Sequence, residues 1–164
     1  MSLIKKLNYD SICLVLKDLS PEVALQLPHM VDAKDGGKNC IHKCAQLKSA
    51  MIMEEIVEVY RSAASWAYEK LQGMSNKEAK RKARADITVW VNATTQCEFG
   101  YSAIHFACFH GDPYVLRLLV QYNAKVDVKN KTGLSPMHLA AKADLSFPLT
   151  FLKERGVDVD CVDD

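Results

Sequence analysis

Apolar residues recur along this chain at intervals of three and four, the spacing that lines one side of a helix. Between Met51 and Leu71 neither proline nor glycine interrupts, and Ile52, Ile56, Val59, Tyr60, Ala63, Trp66 and Ala67 keep that spacing. The pattern predicts one overlong helix, which Gly73 ends. Ser75-Asn76 then caps a basic helix, Lys77-Glu-Ala-Lys80-Arg81-Lys82-Ala-Arg84-Ala-Asp86, and chain direction recovers at Ile87-Thr-Val89-Trp90-Val91-Asn92-Ala93. Asp112-Pro113 pairs a capping carboxylate with a proline at the first helical position, ahead of Val115, Leu116, Leu118 and Leu119 on one face. Ser146 is placed to cap a helix carrying Phe147, Leu149, Phe151 and Leu152. Residues 11–18 read as a helix, and Ser20-Pro21-Glu22 opens another that Pro28 must end.

These helices fall into repeats. Gly100-Tyr-Ser102-Ala-Ile-His105-Phe-Ala-Cys108 matches Gly133-Leu-Ser135-Pro-Met-His138-Leu-Ala-Ala141, glycine on glycine and histidine on histidine, at a period of 33 residues. Val126-Asp127 and Val159-Asp160 hold the same offset, as do Asn123-Ala124 and Gly156-Val157. Asn123 and Gly156 suit helix ends because both tolerate the left-handed conformation. A looser copy, Gly37-Lys-Asn39-Cys40-Ile41-His42-Lys-Cys44-Ala45, puts its histidine 63 residues before His105, one 33-residue period plus an insertion. Asn39, Ser102 and Ser135 each stand where a side-chain oxygen caps a helix start. Val31-Asp32-Ala33-Lys34-Asp35 looks like the close of an earlier, degenerate unit.

These residues resemble the ankyrin repeat, a β-turn followed by two antiparallel helices with a threonine-proline-leucine-histidine-x-alanine signature. The resemblance implies an all-α ankyrin-repeat solenoid of helix-turn-helix units with short β-turn fingers and a helical insert. On that frame residues 1–30 are capping helices or a degenerate repeat, 31–62 repeat one, 63–89 the insert, 90–129 repeat two and 130–162 repeat three, with 163–164 the start of a further repeat or a truncated end. Ser102 and Ser135 replace the threonine, Cys40 and Ala103 the proline, and Asp144 the glycine between helices. The insert, absent from the repeat pattern, is a functional suspect.

A net charge of +1 argues against a dedicated nucleic-acid binder. Nothing approaches the ~18 consecutive apolar residues of a membrane helix, so no membrane insertion by this chain is expected. The N-terminus lacks a signal-peptide core, because Tyr9-Asp10-Ser11 interrupts it. Cys13, Cys40, Cys44, Cys97, Cys108 and Cys161 sit mostly inside apolar helical patterns, the habit of reduced cysteines, so a cytoplasmic chain without structural disulfides is expected, and separately a monomer.

Three clusters invite chemistry. Cys40-Ile-His42-Lys-Cys44 carries zinc-ligand residue types. Yet His42 holds the repeat's histidine position, where the ring ties adjacent loops together, and on a helix it points away from the Cys40–Cys44 face. Cys108 with His105 has the spacing of a nucleophile pair, but Cys108 replaces a core alanine, where a thiolate would be desolvated and inert. No catalytic residue, cofactor or metal is therefore expected. Lys80, Arg81, Lys82 and Arg84 are a candidate anionic contact against a solvated-helix alternative, with Glu78 and Asp86 diluting the run.

The resemblance implies recognition of a protein partner at the turn tips and the exposed side of the first helices. Those positions hold Glu98, Phe99, Tyr101, Phe109, His110 and Tyr122 in copy two, and Leu134 and Lys142 with Lys131, Thr132, Ala143 and Arg155 in copy three. Aromatics dominate binding hot spots. The competing expectation is that the insert, with Trp66 and Trp90, covers these rings.

Asp163-Asp164 falls where a further turn is due, so a fragment of a longer array is expected. The stretch from Met137-His138 through Phe147, Phe151-Leu152-Lys153 and Gly156 also resembles the ankyrin region of protozoan protein S-palmitoyltransferases. There an ankyrin array precedes transmembrane helices and an Asp-His-His-Cys motif. That likeness implies a substrate-recruiting role on the cytosolic face of a membrane.

Overall fold

Two histidines, His42 and His105, tie successive helical hairpins together in a computed structural model that describes residues 14–158. Cys13, Cys161, Val159-Asp160, the expected turn at 163–164 and residues 11–13 of the first expected helix lie outside the described residues.

A helical turn over 14–17 leads to α1 (Pro21–Ala24), whose cap is the Ser20 hydroxyl accepting from the Val23 N–H. The helix stops at Ala24, ahead of Pro28, which lies inside a separate 3₁₀ turn, Leu27–His29. Strands β1 (Val31–Asp32) and β2 (Lys38–Asn39) pair antiparallel as a finger, Val31 opposite Asn39 and Asp32 opposite Lys38. Helices α2 (Cys40–Gln46) and α3 (Ala50–Gln72) form the first hairpin, α5 (Ala103–His110) and α6 (Pro113–Gln121) the second, α7 (Pro136–Lys142) and α8 (Ser146–Lys153) the third. Helix α4 (Asn76–Val91) stands between the first and second.

The caps follow the sequence closely. Asp112 Oδ1 accepts from the Tyr114 and Val115 N–H groups ahead of Pro113. Asn39 Oδ1 accepts from the His42 N–H at 3.0 Å, and Ser135 Oγ from the His138 N–H at 3.3 Å. Asn123 and Gly156 both have positive φ where expected, at 62° and 76°. Asp144 adopts φ 54° and Lys48 φ 57° in turns where repeat two uses Gly111, so both side chains accept the left-handed strain. Ser146 differs from expectation: it is the first residue of α8, and Leu145 occupies the cap without a side-chain bond.

Helices α2, α5 and α7 lie side by side as one layer, and α3, α6 and α8 form the layer behind. Ile41, Met53, Val57, Ile104, Leu116, Leu119 and Leu152 are wholly buried between them. Each such side chain contributes about 1.5–3 kcal/mol when removed from water.

The insert does not interrupt this stack. The first half of α3 runs behind α2 and along α6, from the recess it shares with Asp112 and Tyr114 to Arg61 over the Tyr122 ring. It then continues to Gln72, where Gly73 at φ 65° reverses the chain. Helix α4 returns antiparallel along it. The buried seam is rich in small residues, Ala63, Ala64 and Ala67 on α3 and Ala79 and Ala83 on α4, closed by Trp90 edge-on to Tyr60 at 5.3 Å. The recovering segment expected at 87–93 is therefore not separate: Ile87 to Val91 is the last part of α4. A boundary at 63 falls inside α3, and one at 89 falls inside α4. Asn92 then joins the return to the next unit, its side-chain amide donating to Asn123 O and its Oδ1 accepting from the Lys125 N–H.

Candidate functional site

The surface in question is built on the histidine of each repeat. The Asn39 N–H donates to His42 Nδ1 at 3.2 Å, and His42 Nε2 donates to Ala93 O at 2.9 Å, across the insert. In the second unit the Ser102 N–H and hydroxyl both donate to His105 Nδ1, and His105 Nε2 donates to Leu134 O at 3.1 Å. A backbone N–H can only donate and a carbonyl can only accept, so both rings are neutral Nε2–H tautomers. Burial pushes His42 down to about 4 and also lowers His105. Both nitrogens of His42 are thus spent on backbone groups, which occupies the ring that a zinc reading of Cys40-Ile-His42-Lys-Cys44 needs. Burial likewise pushes the thiols of Cys40 and Cys108 up to about 12 and raises Cys44, the environment of packed rather than nucleophilic cysteines.

The same bonds bring the fingers into register. Gly36 O accepts from the Gln96 and Cys97 N–H groups, and Phe99 O from the Lys131 N–H at 2.9 Å. A Cβ on Gly37, at φ 67°, would lie 2.6 Å from the Gln96 side chain, so this finger contact needs glycine.

With the fingers fixed, an open groove of about 400 Å³ forms along the first helices, lined by Gln46, Tyr101, His105, Phe106, Phe109, His110, Leu139 and Lys142. Gln46, Phe109 and Lys142 share one repeat position, at the same 63- and 33-residue offsets as the histidines. Phe106 and Leu139 share another, on the residue after the histidine. A chain of rings runs beside the groove: Phe99 stacks on Tyr101 at 5.7 Å, Tyr101 meets Phe106 edge-on at 5.7 Å, and Phe106 meets His42 at 5.9 Å. Phe109 pairs edge-on with His110 across the wall. Phe99 and Phe109 remain 41% and 44% exposed. His110 is lowered first by burial and then by the positive charges of Lys48 and Lys38.

Of the residues singled out in the sequence, Tyr101, Phe109, His110 and Lys142 meet in this groove, and Phe99 extends it onto the finger. Glu98 is exposed on the same finger but outside the lining. Leu134 is partly buried and serves through its backbone, as the acceptor for His105. Tyr122 is a correction: it is buried at 6% exposure under Arg61, because the long α3 covers the end of α6, so it offers no surface to a partner. Phe106, Gln46 and Leu139 were missed. Their i, i+3 spacing to Phe109 and Lys142, carried through the repeat offset, was the available signal.

The insert leaves the groove open. Trp90 is buried against Tyr60, and Trp66 lines a different recess with Leu16, Leu19 and Val59. Neither ring reaches Phe99, Tyr101 or Phe109. Lys80, Arg81, Lys82 and Arg84 are all exposed on the outer side of α4.

The family model described as ankyrin repeats in three copies matches residues 76–163. The B-cell lymphoma 3 protein of human is 35% identical over 68 residues, covering 39% of this chain and 15% of that protein. Ankyrin repeat and SOCS box protein 16 of mouse is 29% identical over 104 residues, 54% of this chain and 22% of its own length. The ADP-ribosylation factor GTPase-activating protein AGD2 of Arabidopsis thaliana is 38% identical over 47 residues, 29% of this chain and 6% of that protein. The chain therefore spans less than a quarter of the length of these curated relatives.

Proposed function

Because the chain belongs to the ankyrin-repeat family, a generic protein-interaction module, we propose that it binds a partner protein through the concave groove of α2, α5 and α7. In this reading residues 31–62, 90–129 and 130–162 are the repeats, 1–30 the cap and 63–89 the insert, and the array acts as a monomer in the cytoplasm. The observation that carries it is the meeting of Gln46, Phe109 and Lys142, one repeat position used three times, beside a ring chain that ends in the half-exposed Phe99. Rings already held by packing lose little freedom on binding, so their contact area converts efficiently into affinity. The partner supplies an apolar anchor that enters between Phe106 and Phe109.

Selection of binding peptides from a displayed random library on the whole chain tests this. Selected peptides bind Phe99→Ala/Phe109→Ala roughly 30-fold more weakly, the scale of a hot-spot truncation. The melting temperature stays within a few degrees because both rings are already part-exposed. Peptides that bind the double variant undiminished sink the proposal, and so does a variant that loses most of its stability.

The alternative implied by the acyltransferase likeness is recruitment of substrates by the same groove, within a longer enzyme on the cytosolic face of a membrane. Among the described residues no helix is long and apolar enough to cross a membrane. An open reading frame continuing past Asp164 into apolar spans and an Asp-His-His-Cys motif favours that alternative, and a stop codon favours the free-standing module.

A further inference from the structure

The outer part of the α3–α4 hairpin is more than the stack requires, since it is the first half of α3 that packs behind α2 and along α6. The histidine bond from His42 to Ala93 closes the repeat register across it, and its seam is satisfied internally by alanines and by Trp90 on Tyr60. What it adds to the molecule is an outer surface. Helix α4 carries five cations, Lys77, Lys80, Arg81, Lys82 and Arg84, against two carboxylates, a local charge of +3 in a chain whose total is +1. All five are exposed. Among the described residues the salt bridges involve Lys38, Lys43 and Arg61, and none of the α4 cations.

The two carboxylates are turned to local duties. Glu78 accepts from the N–H and the hydroxyl of Ser75 as part of the cap, and Asp86 accepts from the Tyr68 hydroxyl on the inner side. Between the end of α3 and the start of α4 lies an open recess of about 510 Å³, walled by Gln72, Met74, Glu78, Arg81, Lys82 and Ala85. Lys82 is held at its edge, donating to Gln72 Oε1 at 3.1 Å and lying 4.4 Å over the Tyr68 ring. Beside the recess Leu71 is 73% exposed, an aliphatic side chain at the tip of the hairpin, next to the basic face of α4.

From this we infer that the hairpin is an adsorption site for an anionic phospholipid surface. The cations of α4 face the phosphate and carboxylate headgroups, Arg81 and Lys82 hold one phosphate at the recess, and Leu71 with Met74 enters the headgroup layer. Lipid is favoured over nucleic acid by the character of the tip. It offers the aliphatic Leu71, the Tyr68 ring there is partly buried and covered by Lys82, Trp66 lies in a separate recess with Leu16, and Trp90 is buried, so the tip presents no open ring face to stack on bases. The site is independent of the groove of α2, α5 and α7, whose lining contains no residue of the hairpin.

Co-sedimentation of the whole chain with vesicles decides the matter. Vesicles of phosphatidylcholine containing about one-third phosphatidylserine retain the protein, and phosphatidylcholine alone does not. Lys80→Glu/Arg81→Glu/Lys82→Glu lowers retention roughly a hundredfold, as expected when three cations leave an anionic surface. Leu71→Ser lowers it less, and Phe109→Ala leaves it unchanged, which separates this site from the groove. Circular dichroism checks that the triple variant keeps its helices. Should it lose them, the wild-type response to salt decides instead, since electrostatic adsorption falls steeply as added salt screens exposed charge. Equal retention on both vesicle types, retention insensitive to salt, or binding to duplex RNA without vesicle binding overturns the inference.

Discussion

The concave groove and the α3–α4 hairpin are assembled in opposite ways. The groove draws residues from each of three hairpins, so Gln46, Phe109 and Lys142 meet only if the repeats stack in register. The hairpin draws its cations from neighbouring residues of α4, beside Leu71 and Gln72 at the end of α3, and is held by its alanine-rich seam. The recognition proposed for the groove is therefore coupled to the stability of the whole array, whereas the basic face can change without disturbing it.

The register itself offers the hardest way to break that contrast. His42→Ala with His105→Ala takes the ring partners from the N–H groups of Asn39 and Ser102 and from Ala93 O, and leaves Leu134 O with the Asn130 N–H alone. At 1–3 kcal/mol for each orphaned buried group, partly relieved by entering water, the double variant loses about 4 kcal/mol or more. Urea denaturation followed by circular dichroism measures it, and groove binding should disappear with it. A loss below about 1 kcal/mol, within the range of ordinary surface changes, shows that the ring bonds do not set the register.

Acid acts on the same bonds more gently. In the fold both rings are neutral, with His42 at about 4 and His105 below the ordinary 6.5, because burial penalises the imidazolium. The unfolded chain takes up these protons near 6.5, so below that pH it binds more of them than the fold does. Stability from this source is complete above pH 6.5 and is lost as pH falls toward 4, by on the order of 2–3 kcal/mol for His42. Asp35 behaves differently. The ammonium groups of Lys43 and Lys38 hold its carboxyl below the ordinary 3.8, so its contribution is present above that value and disappears only at more acid pH. Urea midpoints measured from pH 8 to pH 3 should slope between 6.5 and 4 in the wild type and slope less steeply there in His42→Gln, which keeps the share of His105, while the steeper acid loss persists. An unchanged slope in His42→Gln assigns the dependence to other groups.

Both regions were partly legible in the sequence, for different reasons. Histidine spacing, caps at Asn39, Ser135 and Asp112, and left-handed ends at Asn123 and Gly156 are local codes, and each gave its element directly. The groove needed one more step, since a repeat position becomes a site only when neighbouring copies are superposed. Phe109 and Lys142 stood out singly, but Phe106 and Leu139 looked like core residues beside the histidine. Tyr122 was misplaced because its cover, Arg61 on α3, comes from the neighbouring unit, and a position read within one repeat does not show what the adjacent helix lays over it. The hairpin was the reverse. Its basic face was plain in the run from Lys80 to Arg84, while the continuity of α4 to Val91 was obscured by the repeat-like ending at Val91-Asn92-Ala93.

Trp90 stands where the two regions join, and it offers the finest test of how separate they are. Its ring is buried against Tyr60, yet its indole N–H has no hydrogen-bond partner. An unpaired buried donor costs about 1–3 kcal/mol, and truncating a buried tryptophan to alanine costs about 3–5 kcal/mol through the cavity it leaves. Trp90→Phe sets part of each against the other, because it removes the unpaired N–H while keeping a ring on Tyr60. The expected net change is within about 1 kcal/mol, with groove and vesicle binding both unaltered. A destabilisation of the alanine size means that the indole supports the repeat stack itself, in which case the hairpin is part of the scaffold and the separation drawn between the two regions fails.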